Sequence, residues 1–222
     1  AYLRSGSDDA QSMIDWAKAT GRRLTVRLVK GAYWDYETIH AEEMGWPVPV
    51  WSRKQDSDAC FERMAWQFLQ STPRSTDEGG IKLALGSHNA RSIGFALASC
   101  EHLDLPESAL ELQMLYGMAD ELKAASVDEG LRLREYVPVG EMIPGMAYLV
   151  RRLLENTSNE SWLLAAGSEK PDPSKLLASP HVTHTQPDPG EVLLDTASER
   201  HQLTPAVKGC LLYTSPSPRD GW

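Results

Sequence analysis

Residues 27–34 read RLVKGAYW and follow the mainly apolar residues 24–26 (LTV), a pattern that predicts a short buried strand ending in glycine. Two cations are unusual there, because a parallel strand buried on both faces is normally almost all Val, Ile and Leu. A buried charge also needs a partner, since leaving it unpaired is costly. Arg27 and Lys30 either pair with carboxylates of neighbouring strands or line a ligand site. The second interpretation is favoured, because barrel enzymes bind ligands where their strands end.

An apolar strand followed by a helix recurs along the chain, and this alternation predicts a parallel sheet with helical crossovers. Ser7 or Asp8 is expected to cap the first helix, and Gly21 is expected to end it. Pro138 should shorten the last strand, because it has no N–H to donate. The predicted strands are at about 24–30, 81–85, 110–116 and 135–139, and the predicted helices at about 8–20, 36–44, 56–71, 90–101, 118–126 and 142–156.

Four strand–helix units are too few to close a (β/α)8 barrel, which needs eight strands and about 250 residues. The pattern therefore predicts either a small doubly wound sheet or half of a barrel whose first strands precede residue 1. Residues 1–4 (AYLR) resemble the end of an interrupted strand, which favours the half-barrel. The glycine-rich fingerprints of nucleotide-binding doubly wound sheets are absent from the sequence.

The composition is ordinary for a globular chain, with 41% hydrophobic and 24% charged residues over 222 positions. A net charge of −9 argues against a general nucleic-acid-binding protein, although it leaves room for a small cationic pocket. The three cysteines form no CxxC pair, which is typical of a reducing compartment. No apolar run approaches the roughly 18 residues that cross a bilayer.

The character of the sequence changes beyond residue 165, where eight of the fourteen prolines lie and the apolar periodicity fades. We expect a barrel segment at 1–165 and a linker or loosely ordered tail at 166–210. Residues 211–222 look like a non-native junction. His181 and His184 have a spacing that metal ligands use, but no carboxylate or thiol accompanies them, so both are interpreted as solvated.

Residues 148–156 read YLVRRLLEN, and they place two adjacent arginines, Arg151 and Arg152, on the last predicted helix. Tyr148 lies one turn from Arg152, and Arg151 lies one turn from Glu155. Two guanidinium groups side by side suit a carboxylate ligand, because each offers planar, bidentate hydrogen bonds. The alternative is an exposed helix face with a single salt bridge.

Two further groups near strand ends, His88 with Asn89 and Lys30, carry side chains that could bind a cofactor or take part in catalysis. His88 and Asn89 follow the second strand and suit cofactor contacts or acid–base work, although a lone histidine is more often structural. Lys30 could be a Schiff-base nucleophile, which would make the protein a class I aldolase. That chemistry needs an apolar setting for the Lys30 amine. Arg27 on the same strand instead places a second positive charge nearby, which makes the setting less apolar.

Five motifs occur in an order that resembles the second half of the proline dehydrogenase barrel, most closely that of the bifunctional proline utilization A flavoenzymes. The resemblance covers about residues 1–165. The motifs are RLVKGAYW at 27–34, SHN at 87–89, LQMLYGM at 112–118, YVPVG at 136–140 and YLVRRLLEN at 148–156.

The resemblance implies a (β/α)8 TIM-type barrel that holds FAD at the carboxyl ends of its strands. It implies oxidation of L-proline to Δ1-pyrroline-5-carboxylate by hydride transfer to the flavin, with electrons passed to a quinone, in proline catabolism. It also implies a parent protein with a pyrroline-5-carboxylate (glutamate semialdehyde) dehydrogenase domain, located in the cytoplasm or peripherally on the inner face of the bacterial membrane.

Site residues are likewise implied by the resemblance, and no metal or covalent nucleophile is required. The flavin would be lined by Arg27, Val29, Lys30, Gly31, Ala32, Tyr33 and Trp34, with further contacts from Ser52, His88, Asn89, Gln113 and Glu155. Proline would be held through its carboxylate by Arg151 and Arg152, with Leu28, Tyr33, Tyr136 and Tyr148 around its ring. Two other hypotheses stay open: the Lys30 aldolase, and a non-catalytic fragment that lacks the rest of its barrel.

Overall fold

A four-stranded parallel sheet with helices between its strands organises the chain. The structure, a computed structural model, describes residues 1–141 except 76, positions 143, 145, 146, 148 and 150, and residues 172–181. The elements are α1 (Gly6–Thr20), β1 (Arg23–Leu28), α2 (Trp34–Met44), α3 (Lys54–Gln70), β2 (Gly80–Gly86), α4 (Ala90–His102), a 3-10 turn (Glu107–Ala109), β3 (Leu110–Leu115), α5 (Asp120–Asp128), β4 (Leu133–Tyr136) and α6 (Pro173–Leu176).

The strands lie in the sheet in the order of the sequence, β1-β2-β3-β4, and every neighbouring pair is parallel. A doubly wound sheet would reverse its strand order at a switch point. No reversal occurs among the described strands, so the sheet has the topology of an arc of a (β/α) barrel. The half-barrel prediction is therefore preferred over the small doubly wound sheet.

Alternate residues of the strands face two different environments. One set packs against the helices in a single hydrophobic core, and its members are Leu24, Val26, Leu28, Ile81, Leu83, Leu85, Leu110, Leu112, Met114 and Leu133. The other set lies on what we call the open face, the side of the sheet away from these helices. Its central members are Arg27, Ala84, Gly86, Glu111, Gln113 and Arg134.

Helix α3 is the centre of the helical layer. Its residues Phe61, Phe68 and Leu69 are fully buried against the sheet and against α1 and α4. Each such side chain contributes about 1.5–3 kcal/mol when it leaves water. Among the described residues, this layer covers one face of the sheet, and the open face carries polar and small side chains.

The local signals for helix and strand ends were partly right. Gly21 ends α1 in a left-handed conformation with φ 64°, as predicted. The first helix begins earlier than predicted, because Ser5 and not Ser7 or Asp8 is its N-cap. The last strand runs from Leu133 to Tyr136 and not over 135–139, so its pairing stops before the proline that cannot donate to a neighbour.

Residues 172–181 contact the outside of the helical layer. Asp172 caps α6 by accepting a hydrogen bond from the Ser174 N–H at 3.1 Å. Nε2 of His181 lies 3.2 Å from Oε2 of Glu62, a carboxylate on α3 that Arg91 of α4 also binds. The His181 side chain is 40% exposed, as expected for a solvated residue, but it also has a partner 119 positions earlier that local spacing could not reveal. His184 lies outside the described residues.

Gly80 offers a direct test of the backbone packing at the start of β2. A Cβ there would overlap the Ser71 carbonyl oxygen and lie 3.0 Å from the Pro73 ring. We expect Gly80→Ala to lower the free energy of unfolding by about 1–3 kcal/mol, because backbone atoms must move to admit the methyl group. The measurement is urea unfolding followed by circular dichroism.

Gly94 is the matched control, since it lies on the exposed side of α4 with no atom within 4 Å of a new Cβ. Gly94→Ala should raise the free energy of unfolding by about 0.5–1 kcal/mol through helix propensity. A Gly80→Ala variant as stable as Gly94→Ala would contradict this account of the packing.

Candidate active site at the carboxyl ends of the strands

Arg27 is the most distinctive side chain of the open face. It is exposed, and within the part of the chain that the structure describes its guanidinium makes no hydrogen bond or ion pair. A cation that only stabilised the sheet would be expected to face a carboxylate on a neighbouring strand. The residue directly opposite Arg27 on β2 is instead Ala84. Arg27 is therefore available to an anionic or electron-rich ligand.

Small residues on β2 form a floor between the polar side chains of β1 and β3. Ala84 pairs in register with Arg27 on one side and with Glu111 on the other. Gly86 is the next open-face position, and a Cβ added there would lie 2.9 Å from Val29 Cγ1 and 3.4 Å from Arg27 Cζ. Glycine at this position lets both side chains lie across the strand end.

Lys30 turns to the helical layer. Its ammonium forms an ion pair with Asp58 of α3 and lies 5.4 Å from the centre of the Phe61 ring. Burial lowers the pKa of Lys30, and the Asp58 carboxylate opposes that shift. The Lys30 side chain thus has a structural partner in Asp58. This placement does not favour the predicted contact with the flavin, which stays a prediction.

His88 and Asn89 both make local contacts at the end of β2. Nε2 of His88 accepts a hydrogen bond from the Leu115 N–H at 3.0 Å, which ties the loop after β2 to the end of β3. Oδ1 of Asn89 caps α4 by accepting from the N–H groups of Arg91 at 2.9 Å and Ser92 at 3.3 Å. Their predicted roles toward a cofactor would be additional to these structural ones.

Gln113 belongs to a polar cluster on the open face. Its Nε2 donates to Oε1 of Glu111 at 2.8 Å. The same carboxylate binds Arg134 of β4 through Nε at 3.0 Å and Arg132 at 3.4 Å. The sequence alone assigns Glu111 no role, because its arginine partners lie more than twenty positions further along the chain.

The aromatic residues predicted for substrate binding are partly brought together. The rings of Tyr136 and Tyr148 have centroids 5.7 Å apart at an interplanar angle of 42°. Leu28 is buried in the core between the sheet and the helices. This position does not favour the predicted contact with the substrate ring, which stays a prediction. Tyr33 is partly exposed at the start of α2.

The loop after β1 and the loop before α3 meet beside the end of the sheet. The Trp34 indole N–H donates to the Trp51 carbonyl at 2.7 Å, and the adjacent Ser52 hydroxyl lies 3.4 Å from Arg4. Gly31 has φ 126°, and a Cβ there would overlap the Tyr2 ring. This packing holds residues 31–34, including Ala32, as a defined turn at the end of β1.

Arg151, Arg152 and Glu155 lie outside the described residues, so their predicted roles remain predictions. Across the described ranges, no three His, Cys, Asp or Glu side chains are grouped so that they could hold a metal ion. Within the same ranges, no helix has the length and apolarity needed to cross a bilayer.

The fold defines the class of protein: an arc of a β/α barrel, with Arg27 and the Glu111 cluster on the face of the sheet away from the helices. Comparison with known sequences assigns the family. The family model for proline dehydrogenase matches residues 1–164, and the chain belongs to that family.

Individual relatives agree with this assignment. The bifunctional protein PutA of Rhizobium meliloti is 35% identical over 76% of this chain, and the mitochondrial proline dehydrogenase 1 of Arabidopsis thaliana is 29% identical over 70%. The match spans 13% of the first relative and 31% of the second. The crystal structure of proline utilization A from Bdellovibrio bacteriovorus inactivated by N-propargylglycine is similar with a TM-score of 0.77 and 49% identity, over 85% of this chain and 19% of that one.

The Lys30–Asp58 pair yields a stability prediction. Asp58→Asn leaves a largely buried ammonium without its counter-charge, so we expect the free energy of unfolding at pH 7 to fall by about 1–3 kcal/mol. The Lys30 pKa should fall further in the folded state. Because the unfolded state then binds the proton more tightly, part of the loss should be regained as pH rises towards about 10.4, the pKa of an unperturbed lysine.

Urea unfolding at pH 7 and pH 9.5 measures both effects. The control is Lys54→Met, which removes the more exposed partner of Asp58, 2.6 Å away, and should cost less than about 1 kcal/mol. Equal losses for Asp58→Asn and Lys54→Met, without any recovery at high pH, would contradict the role given to Lys30–Asp58.

Proposed function

We propose that this chain supplies part of the active site of an FAD-dependent proline dehydrogenase that oxidises L-proline to Δ1-pyrroline-5-carboxylate. One observation carries the proposal: Arg27 stands exposed over a floor of small residues on a sheet of the proline dehydrogenase fold. Membership of the family supports the reaction class. The chain matches only 13% and 31% of the length of two of its relatives. The whole reaction is therefore proposed for the complete barrel and not for this chain alone.

The residues of the open face fit a flavin. Ala84 and Gly86 add at most a methyl group to this face, so the side chains of β1 and β3, and not those of β2, define the position of a flat ring system. Gln113 brings an amide to one side of that floor, and Arg27 brings a cation to the other. An amide and a guanidinium are suitable partners for the polar edge of an isoalloxazine ring.

In this proposal FAD would be the two-electron acceptor, and the protein would bind it, orient it against the substrate and supply an electrostatic field. Arg27 stabilises negative charge that develops beside it, because a fixed cation needs no reorganisation when that charge appears. Tyr136 and Tyr148 form one wall of the substrate position. Arg151 and Arg152 hold the carboxylate of proline, so that the ring of the substrate has a single orientation.

The partners of the complete protein are a further part of the proposal. A quinone would accept the electrons, and a pyrroline-5-carboxylate dehydrogenase domain in the same polypeptide would consume the product, as in bifunctional proline utilization A proteins. Location in the cytoplasm, with peripheral attachment to a membrane, would suit such a quinone reaction.

The aldolase hypothesis is the weaker one. Burial lowers the pKa of Lys30, as a Schiff-base lysine requires. Its ammonium, however, is paired with Asp58 and lies against the fully buried ring of Phe61. No observation favours a carbonyl substrate at that position.

A hybrid enzyme tests the proposed function. Residues 1–164 would replace the matching segment of the Bdellovibrio protein, whose remaining sequence completes the barrel. We expect a yellow protein whose flavin absorbance is bleached by L-proline under anaerobic conditions and whose activity is lost on incubation with N-propargylglycine. A folded hybrid that stays colourless, or whose flavin is never reduced by proline, would reject the proposal.

The contribution of Arg27 is tested in the same hybrid. Arg27→Met should weaken flavin binding by about tenfold or more, because it removes a cation that lies beside the ring position. Lys82→Met is the matched control: Lys82 lies on the same face of the sheet, four residues before Gly86 and towards the amino ends of the strands. Equal effects of the two substitutions on the dissociation constant would show that only the overall charge matters.

A further inference from the structure

Glu111 is a buried carboxylate on the face of the sheet that carries the proposed flavin site. Its side chain is only 5% exposed, although the arginines that bind it are more than half exposed. Burial of a carboxylate is costly unless its oxygens accept several hydrogen bonds. Glu111 meets that condition, and the way it does so fixes the orientation of a neighbouring side chain.

Oε1 of Glu111 accepts from Gln113 Nε2 at 2.8 Å and lies 3.0 Å from Arg134 Nε. Oε2 accepts from a terminal nitrogen of Arg134 at 3.1 Å. The guanidinium of Arg134 thus binds both carboxylate oxygens, and it fixes the group between β3 and β4. The carboxylate is left as a rigid acceptor aimed at Gln113.

A charged carboxylate permits only one orientation of the Gln113 amide. An ionised carboxylate is an acceptor only, so the amide must present its NH2 group to Glu111. The reversed amide would place its carbonyl oxygen against a negatively charged oxygen. Oε1 of Gln113 is therefore turned away from Glu111, and one N–H remains beside it.

We propose that Glu111 is a positioning residue, which turns the Gln113 amide so that its carbonyl oxygen is offered as an acceptor to an N–H of the flavin ring. This inference rests on the proposed function and assigns a role to a residue outside the predicted set of cofactor contacts. Arg134 has a supporting part, because its guanidinium binds both oxygens of Glu111 and holds the carboxylate in place. The competing explanation is that Glu111 only fastens β3 to β4.

The test is a double-mutant cycle in the hybrid enzyme, with flavin affinity and the flavin absorption spectrum as readouts. Glu111→Gln keeps the size of the side chain but removes the charge, so the amide of Gln113 can turn either way. We expect it to weaken flavin binding by about two- to threefold, because the amide must then be held in one of two orientations. Gln113→Leu removes the hydrogen bond, so it should weaken binding by about five- to tenfold and shift the flavin spectrum in the same direction.

If Glu111 acts through Gln113, the double variant binds flavin no more weakly than Gln113→Leu alone. If Glu111 only joins the strands, the two losses add. Glu135→Gln is the matched control, since Glu135 is an ion-paired strand carboxylate that binds Lys123 of α5 on the helical side of the sheet. It should leave flavin affinity within twofold of the unsubstituted hybrid.

A second measurement needs no flavin. In the 222-residue chain, the side-chain NH2 resonances of Gln113 should exchange slowly and lie downfield, and Glu111→Gln should remove both properties. A hybrid that binds flavin normally with Glu111→Gln, or additive losses in the cycle, would overturn this inference and leave the proposed function standing. An unsubstituted hybrid that binds no flavin would reject both.

Discussion

Strand β2 must satisfy two opposite demands, and the rest of the structure depends on how it does so. Ile81, Leu83 and Leu85 are completely buried against the helices and anchor the sheet to α3. The alternate positions Ala84 and Gly86 carry almost no side chain, so the same strand can be the floor of a site on its other face. A period of two residues makes this separation possible, because neighbouring side chains of a strand point to opposite sides.

Charge is divided between the two sides of the sheet in a consistent way. On the helical side, cations are matched by carboxylates: Lys30 pairs with Asp58, and Lys123 pairs with Glu135. On the open face cations are in excess, and Arg27 has no carboxylate partner within the described ranges. A chain with a net charge of −9 therefore presents a locally cationic surface where its parallel strands end.

Much of the fold could be predicted because its signals are local. Apolar residues at a period of two or of 3.6 marked the strands and helices, and Gly21 marked the end of α1. The roles of Lys30 and Glu111 could not be found in the same way. Lys30 meets Asp58 28 positions later, and Glu111 meets Arg134 23 positions later.

The sequence by itself determined the order of strands and helices, the parallel sheet and the family, because each depends on short motifs and on periodicity within a segment. Only the tertiary structure decided that Arg27 faces the open side, that Lys30 turns to the helices, and that Glu111 binds both Gln113 and Arg134. Those outcomes depend on the register between strands and on which helix covers which face. Register aligns residues that are distant along the chain, and no local pattern of residues specifies it fully.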